Sequence, residues 1–230
     1  MAIFSRGGRH ARAEETPIPT AVESAATSGP YDVSDAPDGV QRLDLGSMQI
    51  PAVPGVEVRV QAGNEGVVQQ VVLGEGPSTL QLIVVAAPRS EGIWDEVREE
   101  VGASLTSQGG QLQETEGPYG VELLARVPTP NGPVDLRIAG IDGPRWMVQA
   151  VFQGPVAITP SSAPLLGECL RGLVVDRGNE AKPVKEPLPL RLPKDVAAQG
   201  AAAQGSAAAA GEAEPPTEEP RRRPSPRPRS

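Results

Sequence analysis

The chain has 230 residues, 26 Gly and 26 Pro among them, and a formal net charge of −8 at pH 7. Its single Cys and single His exclude a disulfide framework and a Cys/His zinc site, and its longest apolar run, Leu82 to Ala87, is far shorter than the roughly 20 residues of a membrane span. No apolar segment follows the basic residues near the N-terminus, so we expect no secretory signal, a cytoplasmic location and no contact with a membrane.

Composition divides the chain into four parts. Residues 1–38 mix small, polar and charged residues without periodicity, which predicts a disordered arm. Residues 39–178 carry the regular apolar patterns of one folded domain. Residues 179–195 form a Pro-rich extension, which excludes a helix interior or a central strand. Residues 196–230 are a low-complexity tail, predicted to be disordered, in which an acidic block precedes a basic block.

The first half of the domain alternates apolar and polar residues with period 2, which is typical of β-strands. Strands are predicted at residues 56–60, 67–73 and 80–86, and the last of these is apolar on both faces, as a central strand would be. Residues 74–76, Gly-Glu-Gly, are predicted to be a turn, because a phosphate-binding loop would be followed by a helix and not by another strand.

Residues 91–108 change to the helical period. One apolar stripe is formed by Trp94, Val97, Val101 and Leu105. We expect Ser90 to cap the start of this helix and Gly109-Gly110 to end it.

The second half of the domain returns to period 2. Strands are predicted at residues 121–127, 134–138 and 146–152, with Asp142-Gly143 as the hairpin signal before the last of them. In the first of these strands Glu122 and Arg126 alternate with apolar residues, and in the second Asp135 and Arg137 do so.

A second helix is predicted at residues 162–176, with Ser162 as its cap. Short turns between successive strands indicate antiparallel pairing. The sequence therefore predicts an α+β fold, in which an antiparallel sheet of about six to eight strands carries both helices on one face.

Four segments carry a family resemblance: GIWDEVREEV (92–101), EGPYGVELLARVP (116–128), GPRWMVQAVFQG (143–154) and LPLRLP (188–193). In them the chain resembles an actinobacterial family, domain of unknown function 3710, over about residues 40–193. The family has no assigned activity, so the resemblance implies no catalytic residues. The frequent position of its genes near a dUTP-hydrolysing enzyme implies only an association with nucleotide metabolism. The order of elements also resembles the Mog1/PsbP-like α+β fold, which implies nothing about function.

The sequence lacks the pattern of a catalytic site. A Ser or Cys nucleophile is commonly activated by His, and the only His, His10, lies in the predicted N-terminal arm. Cys169 belongs to an apolar helix stripe and is predicted to be a core residue. Glu96, Glu99 and Glu100 are predicted to form a solvated helix face, because no His or second carboxylate pair accompanies them. We therefore expect a non-enzymatic protein without a cofactor or a metal.

Arg145 and Trp146 are the strongest candidates for contact with a ligand or partner, since Arg and Trp are enriched at binding hot spots. Trp146 also shares a strand face with Val148 and Ala150, so packing in the core is the favoured alternative. Trp94 has the same two alternatives, and we expect the two rings to pack together.

The C-terminal tail offers a separate set of candidates. Ser225 is followed by Pro226 and is a candidate phosphorylation site. The neighbouring prolines also suit recognition as a polyproline II helix. The tail also contains five basic residues: Arg221, Arg222, Arg223, Arg227 and Arg229. These residues could bind RNA or an acidic surface weakly, or could simply make the chain more soluble.

The leading hypothesis is a non-enzymatic interaction or scaffold protein with protein partners, because the chain combines a domain without catalytic residues and charged terminal segments. The first alternative is a domain that binds a small ligand, such as a nucleotide-related compound, between its sheet and its helices. The second is weak nucleic-acid binding through the basic tail. Residues 31–178 hold nine Arg against nineteen Asp or Glu, which disfavours any stronger binding of nucleic acid.

Overall fold

The alternating segments of the domain form an antiparallel sheet of seven strands. The computed structural model describes residues 29–62 and 68–191. The strands in chain order are β1 (Tyr31–Asp32), β2 (Arg42–Asp44), β3 (Met48–Pro51), β4 (Glu57–Ala62), β5 (Val68–Glu75), β6 (Ser78–Ala86), β7 (Gln111–Gly117), β8 (Gly120–Val127), β9 (Val134–Gly143), β10 (Trp146–Gln153) and β11 (Val174–Val175). The large sheet has the order β4-β5-β6-β10-β9-β8-β7, with every neighbouring pair antiparallel. The α+β class and the antiparallel sheet predicted from the sequence are confirmed.

The described residues also contain helices. These are α1 (Trp94–Ser107), α2 (Pro155–Ile158) and α3 (Pro164–Arg171), with 3-10 helices at Val33–Asp35 and Pro160–Ser162. The first predicted helix is confirmed, and it ends before Gly109, whose φ of 81° suits glycine. The second is shorter than the predicted 162–176, because Gly172 caps it and the chain then enters β11. None of the described helices is long and apolar enough to cross a membrane.

Carboxylates from the sheet, and not serines beside the helices, bind the N-termini of the two longer helices. The Asp142 carboxylate accepts hydrogen bonds from the backbone N–H of Ile93 (2.8 Å) and of Trp94 (3.2 Å). Likewise, Glu75 Oε2 accepts one from the backbone N–H of Leu166 at 3.2 Å. The predicted caps Ser90 and Ser162 are therefore wrong, because acceptors distant in sequence satisfy these N–H groups.

The turn between β9 and β10 lies two residues later than its sequence signal. Gly143 pairs with Trp146, so the loop is Pro144-Arg145 and the predicted Asp142-Gly143 belongs to the end of β9. Proline supplies the fixed φ of the first loop position, and Arg145 takes a positive φ of 64° at the second. A non-glycine residue in this conformation is uncommon.

A second, four-stranded sheet brings together segments from both ends of the described chain. Its order is β1-β11-β3-β2, and β1 pairs in parallel with β11. Residues 29–38 therefore belong to the domain and not to the arm predicted for 1–38. Residues 179–191 also pack on the domain, since Leu188 and Leu190 are buried and Lys185 Nζ lies 2.9 Å from Glu96 and 2.6 Å from Glu100 of α1. The Pro-rich extension predicted after residue 178 thus contacts the domain as far as residue 191; residues 1–28 and 192–230 lie outside the described part.

The two faces of the large sheet carry separate apolar cores. Along β10, Trp146, Val148 and Ala150 point into a core shared with α3 and the small sheet, whereas Met147 and Val151 point into a core shared with α1. The two longer helices thus lie on opposite faces of the sheet, and the predicted placement of both on one face is wrong. Each helix covers one stripe of side chains, because successive residues of a strand alternate between the faces.

Both tryptophan rings pack over glycines of β9. A Cβ at Gly140 would overlap the ring of Trp94, and one at Gly143 would overlap the ring of Trp146. The two glycines lie on opposite faces of the strand, so the rings do not pack together as predicted. Each indole N–H is bonded in place: Trp94 Nε1 donates to the carbonyl of Val121 (2.7 Å) and Trp146 Nε1 to Asp32 Oδ2 (2.9 Å).

We predict that Gly140→Ala lowers the free energy of unfolding by about 1–3 kcal/mol, because the added methyl group displaces the buried ring of Trp94. Urea denaturation followed by tryptophan fluorescence measures this change. Gly74→Ala in β5 is the matched control, since its Cβ would meet its nearest neighbour at an ordinary 3.8 Å. Equal losses for the two variants would contradict the packing described here.

Candidate functional site

A cavity of about 370 Å³ opens between the large sheet and the segment that runs from α2 to α3. Most of its wall is apolar, with Phe152 of β10, Val156 of α2 and Leu170 of α3 on different sides. Five side chains supply polar atoms: Tyr119, Glu122, Arg137, Ser161 and Arg171. The remaining wall residues are Pro118, Pro160, Ala163, Pro164 and Gly167. A mostly apolar wall with a few polar groups is the usual composition of a small-molecule site.

Glu122 is the most unusual residue of this cavity, because its carboxylate is buried and incompletely bonded. The residue is only 2% exposed, and its Oε2 has no hydrogen-bond partner among the described residues. Gly117 makes room for it, since a Cβ at position 117 would overlap the carboxylate. Burial raises the pKa of Glu122, and the nearby Arg137 guanidinium lowers it only in part.

Arg137 stands beside Glu122 and joins the sheet to α2. It lies on β9 opposite Leu124, which places its side chain on the same face of the sheet as Glu122. Its Nη1 is 3.6 Å from Glu122 Oε2, a distance that allows charge attraction but exceeds the usual hydrogen-bond range. Its Nε donates to the carbonyl of Ala157 at 2.9 Å, so the guanidinium is fixed in orientation.

Tyr119 and Arg171 also supply polar groups to the wall. Burial raises the pKa of the Tyr119 phenol, which the Arg171 charge lowers and the Glu122 charge raises further. Arg171 is exposed in the last turn of α3, where a cation interacts favourably with the helix dipole. The cavity therefore has an acceptor in its interior and cationic groups both beside that acceptor and on α3.

The described residues offer this cavity no thiol nucleophile and no metal cluster. Cys169, the only cysteine of the sequence, is fully buried, and burial raises its pKa to about 11. Such a thiol is not ionised at neutral pH and is unreactive. In the described part of the chain, no three His, Cys, Asp or Glu side chains are grouped so that they could hold a metal ion.

The residues predicted from the sequence to contact a ligand lie elsewhere. Trp94 and Trp146 are 6% and 1% exposed, each within one of the two cores. Arg145 lies at the β9–β10 turn, where its Nη2 is 3.4 Å from the carbonyl of Gly178. The binding role of these three residues stays a prediction. The tail candidates, Ser225 and the five Arg from Arg221 to Arg229, lie outside the described residues.

Sequence reasoning missed the residues that do line the cavity. The sequence pattern shows Glu122 and Arg137 only as polar positions that alternate with apolar residues in two predicted strands. A signal was present, because Tyr119 and Glu122 both fall in EGPYGVELLARVP, one of the four segments that carry the family resemblance.

The family is also shown by comparison with known proteins. The sequence signature described as "Protein of unknown function (DUF3710)" matches residues 29–199, and the chain belongs to this family, as its segments predicted. Among curated proteins none matches the chain.

A solved structure with a similar course of the chain is the solution structure of cyanobacterial PsbP (CyanoP) from Synechocystis sp. PCC 6803. It is 14% identical in sequence, covers 59% of this chain and 92% of its own, and superposes with a TM-score of 0.38. A likeness at this level supports no conclusion about the fold or the function of this chain.

We predict that Glu122→Gln becomes more stable relative to the wild type as pH rises from about 4.5 to about 7. The pKa of Glu122 is raised above its ordinary 4.5, so the folded protein holds this proton more tightly than the unfolded chain does. The free energy of unfolding that Glu122 contributes therefore falls as pH rises through this range, and glutamine removes the titration.

Urea denaturation of both proteins at several pH values measures this difference. Glu116→Gln, at an exposed position on the neighbouring strand, reports the effect of removing a surface charge alone. A difference for Glu122→Gln that is constant, or that falls as pH rises, would mean that the carboxylate is not buried as described.

Proposed function

We propose that this chain is a non-enzymatic binding protein whose domain holds a small organic molecule in the cavity beside Glu122. The observation that carries the proposal is Glu122 Oε2, which has no hydrogen-bond partner among residues 29–62 and 68–191 and is buried at the wall of an open, mostly apolar space. A buried acceptor without a donor costs free energy, and a bound molecule with a hydrogen-bond donor would recover that cost. A cytoplasmic location, expected from the sequence, is part of this proposal.

The size and the wall of the cavity support a ligand of modest size. Small-molecule sites in proteins have volumes of about 300–1,000 Å³, so the volume of about 370 Å³ lies near the lower end of that range. Phe152, Val156 and Leu170 offer an apolar surface to the body of the ligand, and the polar groups would fix its orientation.

A binding role without catalysis is supported by the chemistry of the polar groups. The thiol of Cys169 is buried and has a raised pKa, and the single histidine of the sequence, His10, lies outside the described residues. Glu122 faces Arg137 across 3.6 Å, so the two charges balance each other and the pair is suited to recognition.

Ligand binding is tested by a thermal-shift screen of the full chain against a library of small organic compounds. A compound at about 100 times its Kd adds about 2.7 kcal/mol to the free energy of unfolding, which raises Tm by several degrees. We predict that at least one compound does so and that Gly167→Leu abolishes its effect. Gly167 lines the cavity, and a side chain there would first meet only the flexible end of Arg171, so the variant should fold with part of the cavity filled.

Gly167→Ala is the matched control, because it adds one methyl group to the same helix position and leaves most of the cavity open. Compounds that stabilise Gly167→Leu as much as the wild type bind somewhere else and contradict the proposal. A screen in which no compound stabilises the wild type contradicts it as well.

A protein partner is the second candidate, and it corresponds to the interaction role expected from the sequence. Helix α1 lies mainly over β7, β8 and β9, at one side of its face of the sheet. On the other side of the same face, Val72, Ile83 and Val151 remain partly exposed next to Gln81 and Gln149. A part-exposed strip of β-branched side chains in a sheet suits contact with another protein.

This second candidate is tested by affinity capture with the full chain as bait. We predict that a partner retained by the wild type is lost when Val72→Gln and Ile83→Gln are combined, since both changes make the strip polar. Val58→Gln, on the other face of the sheet and 38% exposed, should retain the partner. Equal retention by all three baits would place the contact elsewhere.

A further inference from the structure

The spacing of the two charged groups in the cavity restricts the head group of a ligand. In the described part of the chain Glu122 Oε2 has no hydrogen-bond donor, and Arg137 Nη1 lies 3.6 Å away, too far for the two to satisfy each other by a direct hydrogen bond. A ligand head that approaches both atoms from the cavity therefore has to donate to the carboxylate and to accept from the guanidinium. Both requirements must be met at neighbouring atoms, because the two protein atoms lie side by side.

The charge of the site restricts the head group further. In the buried part of the wall one carboxylate and one guanidinium face each other, so their formal charges cancel, while the charge of Arg171 is exposed on α3 and screened by water. An ammonium head would pair with Glu122 and meet the charge of Arg137, and a carboxylate head would pair with Arg137 and meet the charge of Glu122. Either head would leave one unbalanced charge in a largely buried space, which is costly. A neutral head avoids this cost.

Among neutral heads, an amide edge fits better than a hydroxyl group. A single hydroxyl oxygen would have to reach both protein atoms at an acute angle, whereas the N–H and C=O of an amide make two nearly parallel hydrogen bonds. Paired hydrogen bonds of this kind add geometric specificity to the interaction energy. A flat ring that carries such an edge also suits the apolar wall, where Phe152 and Leu170 can pack against its faces.

We propose that the cavity recognises a planar, uncharged lactam, whose N–H donates to Glu122 Oε2 and whose carbonyl accepts from the Arg137 guanidinium. The inference rests on the proposed function, which it deepens by naming the chemical class of the ligand. Arg137 is suited to bind the carbonyl of the lactam, because the hydrogen bond from its Nε to the carbonyl of Ala157 fixes the plane of the guanidinium. The remaining N–H groups of the guanidinium stay available to a ligand in the cavity.

The test uses matched small probes and the full chain labelled with ¹⁵N. 2-Pyridone carries the donor–acceptor edge, and N-methyl-2-pyridone keeps the ring and the carbonyl but lacks the donor. Benzylamine and benzoate supply a cationic and an anionic head on a similar ring. Titration at millimolar concentrations, followed through the backbone amide signals of the cavity residues, measures the Kd of each probe.

We expect 2-pyridone to bind at least tenfold more tightly than N-methyl-2-pyridone, with both charged probes weaker than 2-pyridone. In Glu122→Gln the site keeps the charge of Arg137 without its counter-charge. Benzoate should therefore gain affinity in this variant while 2-pyridone loses it. Such a reversal of preference would not follow from a general loosening of the fold.

The outcomes separate this inference from the proposed function. If N-methyl-2-pyridone binds as tightly as 2-pyridone, or if a charged probe binds most tightly, the lactam assignment is wrong while the cavity still binds small molecules. If no probe binds but other compounds stabilise the protein in a manner that Gly167→Leu abolishes, the lactam assignment alone is again wrong. If neither the probes nor any compound of the library binds, both the lactam assignment and the proposed function are wrong.

Discussion

Strand β10 supplies side chains to the apolar cores on both faces of the large sheet, and the arrangement of the whole domain depends on its register. Trp146, Val148 and Ala150 point into one core, and Met147 and Val151 point into the other. Because side chains alternate with period 2, a shift of this strand by one residue would exchange the two sets. The eight consecutive pairs that β10 forms with β6 and the eight that it forms with β9 hold the register.

The cavity follows from how the two cores are covered. On one face, α3 and the small sheet cover the side chains from β5, β6 and β10. On the same face, β8 and β9 carry Glu122 and Arg137, and the α2 segment lies over them without filling the space between. A buried carboxylate that lacks a donor lowers stability, and such costs are accepted in proteins mainly where a ligand or partner is bound.

The elements that the sequence predicted well are those with a long, regular apolar pattern. Strands β5, β6, β8, β9 and β10 and helix α1 each carry enough apolar residues at one period to be recognised without knowledge of their neighbours. Strand β7 was not predicted, because it is an edge strand of mostly polar residues and alternates too weakly. The small sheet was missed because β1 and β11 have two residues each and exist only through pairing with distant segments.

The helix caps and the placement of the helices also depend on contacts between segments that are distant in sequence. Asp142 caps α1 from a strand that begins some 40 residues after the helix starts, and no local rule identifies a cap at that distance. The placement of α1 and α3 on opposite faces likewise depends on which way each connection turns after its strand, and that direction is not encoded in the periodicity of the helix itself.

The sequence by itself determined the fold class, the antiparallel sheet, the first helix and the family, since each rests on local pattern or on shared segments. It also determined which residues of a strand lie on the same face: Glu122 and Arg126 were both placed on one side of β8. Only the tertiary structure decided that Glu122 is 2% exposed and that Arg126, four residues later on the same face, is exposed. Alternation sets the direction of a side chain, but what covers that side chain is set by segments distant in sequence, here those around α2 and α3.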